Sequence, residues 1–201
     1  MPPNTKEPRA SIIGPASGPE APFPLRMRGA VEKGFGRGSK ELGIPTANLP
    51  VTSATWISDA DSGVYFGWAA LQLPSSHPSH PANDTGANKE AASVVPEGKR
   101  EEGWRVLPMV MSIGYNPFYG NTVRSAEVHI MHPFAEDFYG APLALSILGY
   151  IRPEYDYVDK ESLVKDIRED MAVAERSLER EAWKARRADA WLWDGEGVES
   201  K

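Results

Sequence analysis

RVLPMVMSIGY, residues 105–115, is apolar almost without interruption, and its reading decides the fold. A run of this length and character is what a strand covered on both faces looks like. Upstream, GVYFGWAALQL (63–73) alternates, placing Val64, Phe66, Trp68 and Ala70 on one face. RMRGAVEKGF (26–35), SAEVHIM (125–131) and LALSILGYI (143–151) complete a set of five strand-like segments, with Gly, Pro and Asn in the gaps. Strands in succession without intervening helices argue for an antiparallel barrel or sandwich rather than a parallel sheet.

The flanks differ. Residues 1–24 are rich in Pro, Ser and Gly and carry no periodicity, which predicts a disordered N-terminal arm. A barrel domain follows over 25–184, interrupted by a low-complexity insertion at 72–103 that is expected to form a long surface loop. From about Lys160 the pattern turns helical, with Leu163, Ile167, Met171 or Ala174, and Leu178 at steps of three and four. The charged residues of that helix are expected on its solvated face. Trp183, Trp191 and Trp193 anchor the chain end or shield the barrel, and residues 185–201 form a C-terminal tail.

Composition narrows the function. The 201 residues are 41% hydrophobic and 25% charged, ordinary for a soluble globular protein of one domain plus tails. A net charge of −6 argues against a general nucleic-acid binder. The absence of cysteine excludes disulfides, thiolate catalysis and Cys-ligated zinc, and fits a reducing compartment. No run approaches the roughly 18 apolar residues of a membrane span. The N-terminus lacks the apolar core of a secretory signal and, with Arg9, Arg26 and Arg28, makes a poor transit peptide. These features point to the cytoplasm. His77 and His80 form an H-x-x-H inside the insertion, where no helix orients them for a metal.

GFGRGSKELGIPTANLP (34–50) has the look of a phosphate loop but fits neither common pattern. Gly38 and Gly43 have the spacing of G-x-x-x-x-G-K-[ST], yet Ile44-Pro45 follows. Gly34, Gly36 and Gly38 give G-x-G-x-G, and Pro45 soon stops any helix of a dinucleotide fold. The underlying physics still applies, because close glycines let backbone N–H groups gather round an anion while Arg37 and Lys40 add positive charge. Thr46 and Asn48, two apart on an extended segment, would offer two neutral oxygens to one Mg²⁺. Equally, Thr46 and Asn48 could simply cap turns in a glycine-rich hairpin.

Downstream, SIGYNPFYGNTVRSAEVHIMHPFAEDFYG (112–140) runs out as a strand, turns, and returns. On the return Glu127, His129 and Met131 share one face and Ala126, Val128, Ile130 and His132 the other. A carboxylate amid apolar residues in mid-strand is unusual; the alternative is that Glu127 faces water or pairs with Arg124 or Arg105. His129 and His132 also fit structural imidazoles.

Taken together these segments resemble the riboflavin kinase family in its monofunctional eukaryotic form. The resemblance rests on GIPTAN (43–48), SAEVHIMH (125–132) and GYIRPE (149–154), in the family's order, and covers most of residues 26–179. It implies a six-stranded antiparallel Greek-key β-barrel with a long C-terminal helix packed outside, the sixth strand falling within 36–60 or 152–160. It implies transfer of the ATP γ-phosphate to the terminal ribityl hydroxyl of riboflavin, giving FMN and ADP, by a monomer needing neither nucleic acid nor membrane. Bacterial relatives carry an added adenylyltransferase domain, for which about 25 residues leave no room, so FAD synthesis is not expected. By the same resemblance Glu127 is the catalytic base. Thr46 and Asn48 hold the metal, Mg²⁺ or another divalent cation such as Zn²⁺. Gly34, Gly36, Arg37, Gly38, Ser39 and Lys40 cover the phosphates, and His132, Phe138 and Tyr139 house the adenine. Arg152, with Pro153 to Tyr157, forms a flap over the flavin. Rival expectations are a noncatalytic flavin- or nucleotide-binding barrel, and an interaction module built on the 72–103 loop.

Overall fold

A computed structural model of the chain describes residues 9–33, 43–83, 94–115 and 123–194. Six strands form one antiparallel sheet: β1 (Leu25–Ala30), β2 (Ala47–Asn48), β3 (Gly63–Gln72), β4 (Trp104–Tyr115), β5 (Arg124–Ile130) and β6 (Pro142–Pro153). Their spatial order is β1-β6-β3-β4-β5-β2. Strands β3, β4 and β5 follow one another as neighbours and β6 returns beside β3, which is the Greek-key order. The sheet curls until its edges meet, where the Glu32 N–H donates to the Asn48 carbonyl at 2.9 Å. The sixth strand is therefore β2, two residues long and too short to show an alternation.

Period-two patterning explains the two cores. Tyr65, Ala69 and Leu71 of β3, Leu107, Met109, Met111 and Ile113 of β4, and Ala126, Val128 and Ile130 of β5 point inward and fill the barrel. Phe66, Trp68 and Ala70 of β3 and Val106 and Val110 of β4 point outward into a second apolar cluster. Both faces of the central strands are thus dry, which is why residues 105–115 read as a continuous apolar run.

The outer cluster is closed by helices. The first helix, α1 (Glu97–Glu101), belongs to the insertion; α2 (Lys160–Leu178), α3 (Glu181–Lys184) and α4 (Trp191–Asp194) follow the barrel. Asp159 starts α2 by accepting the Ser162 N–H at 2.7 Å. The buried face of α2 is Asp170, Val173, Ala174, Ser177 and Leu178, whereas Leu163 and Ile167 are half-buried. One charged residue of α2, Asp170, therefore departs from the expected solvated face. After α2, Trp183 stacks on Phe66 with ring centroids 5.7 Å apart. Trp68 Nε1 donates to the Trp183 carbonyl at 3.1 Å.

Three segments are more ordered than their composition predicts. Residues 9–24, expected as a disordered arm, form a strap along α2 and α3. Ser177 Oγ accepts the Ile13 N–H at 3.0 Å, Arg176 Nε donates to the Ser11 carbonyl at 2.9 Å, and Arg180 Nη1 donates to the Gly14 carbonyl at 2.8 Å. Trp183 Nε1 donates to the Pro15 carbonyl at 2.9 Å. Gly14 has φ +70°, and a Cβ there would lie 2.6 Å from Trp183 Cζ2. Composition could not show this, because the strap is held mainly through backbone groups that every residue carries. In the tail, Arg26 Nη2 bonds Asp189 at 2.8 Å, and Trp191 lies beneath the guanidinium groups of Arg26 and Arg28. In the insertion, residues 74–83 are a compact series of turns. There His77 Nδ1 accepts the Ser79 N–H and His80 Nδ1 the Ala82 N–H, at 3.0 and 3.1 Å, so each imidazole caps its own turn.

Trp183 joins strap, barrel and helix, so Trp183→Ala should lower unfolding stability by about 3–5 kcal/mol, the usual cost of truncating a buried large aromatic. Urea denaturation measures it; a loss below about 1 kcal/mol would show that the strap and helix do not depend on this ring.

Candidate active site

The site is a single row across the sheet. Asn48 on β2 pairs in register with Glu127 on β5. Glu127 pairs with Ser112 on β4, Ser112 with Val64 on β3, and Val64 with Arg152 on β6. Residues in direct register project from the same face with Cβ atoms about 4.5–5.5 Å apart. This is the outer face, away from the barrel core. Glu127 is exposed, while Asn48, Thr46 and Ser112 are half-buried. Arg105, weighed as a partner for Glu127, lies at the far end of β4 and donates to the Ser79 carbonyl. Arg124, the other candidate, donates to Ser62 Oγ at 2.7 Å and to the Ala60 carbonyl, and covers the Tyr115 ring.

The Thr46–Asn48 turn is fixed from beneath by His129. Its Nδ1 lies 2.8 Å from the Pro45 carbonyl. A carbonyl can only accept, so Nδ1 carries the proton. Burial pushes the imidazole below its ordinary pKa, against the opposing effect of the Pro45 bond, so His129 is neutral with Nε2 unprotonated.

Beside the row lies a carboxylate that sequence reasoning did not single out. Gly114 lets Glu154 approach: a Cβ there would sit 2.3 Å from Glu154 Oε1. Burial raises the Glu154 pKa; Arg124 and Arg152 oppose the shift and Glu127 adds to it, so two acids and two guanidinium groups share this end of the face. Arg152 itself turns toward α2. Its Nε lies 3.0 Å from Asp170 Oδ1 and its Nη2 2.7 Å from Oδ2, with the side chains only 5% and 1% exposed. The guanidinium also lies over the Tyr155 ring, 4.6 Å from its centroid. Asp170 could have been suspected from its spacing of three and four to Val173 and Ala174, on the apolar side of the helix.

At the β5 exit an aromatic group gathers. His132 meets Phe134 edge-on at 4.7 Å between centroids, and Phe134 meets Phe138 at 4.6 Å. His77 of the insertion lies 6.4 Å from each phenylalanine. Tyr139 is 54% exposed. The next two residues return to β1: the Gly140 N–H donates to the Val31 carbonyl at 2.8 Å and the Val31 N–H to the Ala141 carbonyl at 2.9 Å. Gly34, Gly36, Arg37, Gly38, Ser39 and Lys40 lie outside the described residues. That loop leaves just after Glu32, which bridges Asn48, and returns just before Pro45, which His129 holds. Its base is thus brought together with Asn48, Glu127 and the 138–141 turn. No helix among the described residues is long and apolar enough to cross a membrane.

The described residues thus form a curled Greek-key sheet with an Asn–Glu register pair near the two ends of the glycine-rich stretch, the framework of a β-barrel protein class. The profile of the Flavokinase family, described as riboflavin kinase, matches residues 21–178. A riboflavin kinase of Pyricularia oryzae is 59% identical over 177 residues, covering 87% of this chain and 81% of its own. One from Neurospora crassa is 48% identical over 209 residues, covering 89% and 88%. The crystal structure of riboflavin kinase from Trypanosoma brucei superposes with a TM-score of 0.63 at 21% identity, covering 90% of this chain and 97% of that one, and supports the fold. The chain belongs to the riboflavin kinase family.

The depressed His129 pKa fixes a sign. Folding disfavours the imidazolium, so the neutral form's contribution is full above the ordinary histidine pKa of about 6.5 and is lost as pH falls through it toward the lower folded value. His129→Gln should therefore destabilise more at pH 7.5 than at pH 5.5, read as the difference in urea midpoint from wild type. An equal difference at both values would mean the ring is not held neutral.

Proposed function

We propose that this chain is a riboflavin kinase that transfers the γ-phosphate of ATP to the terminal ribityl hydroxyl of riboflavin, releasing FMN and ADP. The observation that carries the reading is the Asn48–Glu127 register pair at the base of the glycine loop. It puts a solvent-facing carboxylate beside neutral oxygen donors, where a hydroxyl and a triphosphate can meet.

The residues suit a divalent cation. Thr46 Oγ1 and Asn48 Oδ1 are hard, neutral oxygens, a sensible share of a shell whose other ligands come from water and phosphate, as Mg²⁺ prefers. Such a cation would neutralise charge on the phosphate oxygens. The choice between Mg²⁺ and Zn²⁺ falls to Mg²⁺ on this donor set, since neither thiolate nor imidazole is in it.

Glu127 takes the proton of the ribityl hydroxyl as its oxygen bonds to Pγ and the bond from Pγ to the β,γ-bridging oxygen breaks; the electron pair leaves with ADP. Register with Asn48 fixes the backbone that carries the carboxylate, and the segment before Thr46 is held by His129. Backbone N–H groups of Gly34, Gly36 and Gly38, with Arg37, Ser39 and Lys40, serve the nonbridging phosphate oxygens. His132, Phe138 and Tyr139 receive the adenine. The segment from Pro153 to Tyr157, which follows the Asp170-held Arg152, covers the flavin at the other end of the row, and closure excludes water from the transfer.

Two measurements test this. Glu127→Gln should keep the fold and nucleotide binding while lowering kcat by at least about a hundredfold, the scale of a lost general base. FMN formation followed by chromatography gives the answer, and wild-type turnover would remove Glu127 from the mechanism. Asn48→Ala or Thr46→Val should shift the activity curve to higher Mg²⁺, whereas coincident curves would reject the metal assignment. ADP release that depends on riboflavin separates the kinase from a noncatalytic binding barrel.

A further inference from the structure

The N-terminal strap ends in a charge cluster that the reaction leaves unexplained. Arg9 Nη1 bonds Asp170 Oδ1 at 2.7 Å and the Asp166 carbonyl at 2.8 Å, and its Nη2 bonds Asp166 Oδ1 at 2.7 Å. Both carboxylates also serve the segment after β6. Asp170 holds Arg152, where that segment begins. Asp166 is near the Tyr157 phenol, where it ends: burial raises that phenol above its ordinary pKa, Arg152 opposes, and Asp166 adds to the rise. Between these ends Glu154 lies over Gly114 and Tyr155 under the Arg152 guanidinium, on the outer surface of the sheet. Pro153, Glu154 and Asp156 are exposed, Tyr155 is half-buried, and the next residue, Val158, is 99% exposed.

The cluster therefore holds two carboxylates of α2 and two guanidinium groups, one from the strap and one from the end of β6. Removing Arg9 leaves Arg152 as the cation bonded to Asp170 and takes one guanidinium from Asp166. Uncompensated buried charge is costly, and a cluster relieves it where the structure yields most easily. Here that is the exposed 153–157 segment, not the barrel.

We propose that Arg9 is a positioning residue: by sharing Asp170 with Arg152, with Asp166 beside it, Arg9 fixes the start of segment 152–157 and thereby sets how that segment meets riboflavin. The inference rests on the reading of 152–157 as the flavin cover, and Arg9 itself touches no substrate.

The test uses the full chain. Riboflavin affinity is read from quenching of flavin fluorescence, and KM is measured separately for riboflavin and MgATP. Arg9→Met should weaken riboflavin by about five- to twentyfold, the range of coupling through an intermediate group, with the MgATP KM changed less than about twofold. Arg9→Lys should recover part of the loss, since a point charge reaches one carboxylate but not both. Asp166→Asn, which leaves the Arg152–Asp170 pair intact, should give the same selective loss and serves if Arg9→Met does not fold. Tyr155→Ala probes the segment directly. Unchanged riboflavin affinity in both Arg9→Met and Asp166→Asn, with Tyr155→Ala impaired, overturns the role of Arg9 and leaves the flavin cover standing. Unchanged affinity in Tyr155→Ala as well removes the cover and the inference together. Equal losses for both substrates, without recovery in Arg9→Lys, would make Arg9 a general structural residue and overturn the inference.

Discussion

The antiparallel pairing of β2 with β5 is the constraint on which the rest depends. Two residues, Ala47 and Asn48, meet Val128 and Glu127. The first pair lies in the barrel core, so Ala47 and Val128 are dry while their neighbours must face outward. A slip of one residue would bury Glu127 and expose Val128, an exchange of an apolar side chain for an unpaired charge. The same short strand closes the sheet through Glu32 and carries the turn that His129 holds. Register, barrel closure and placement of the acid are thus one event.

Much of the fold was legible because β3 and β4 are apolar on both faces, and each face has its own cluster to fill. The alternation of β5 likewise separates Glu127 from Ala126 and Val128. What was illegible has physical causes. A two-residue strand has no period, so β2 lay hidden within a glycine-rich stretch. The strap at residues 9–24 is built largely on carbonyls and N–H groups, which composition does not report. Asp170 sits on a helical face that a purely apolar stripe would have assigned to hydrophobic residues, shifting the buried side of α2 away from Leu163 and Ile167.

The candidate site divides in the same way. Glu127 follows from the alternation of β5, whereas Asn48 was reached through GIPTAN and the resemblance, and Ser112 enters only through its register with Glu127. Arg152 was visible as part of GYIRPE, but its engagement with Asp170 depends on a helix approaching from outside the sheet. Glu154 depends on Gly114, whose bare backbone leaves room above β4. The glycine loop draws on family resemblance, while the structure contributes the two ends between which it is strung.

The turns at residues 74–83 have a consequence for how this chain tolerates change. His77 and His80 lock that module from within, and Arg105 pins it to β4 through the Ser79 carbonyl. At the other end Val95 is buried in the outer cluster before α1 begins. The 72–103 insertion is thus anchored separately at each of its described ends. Doubling the length of a connection between two fixed points costs only about 0.6 kcal/mol in closure entropy. A change in the number of residues between those anchors would leave intact both the contacts of His77 with Phe134 and Phe138 and the seat of Val95.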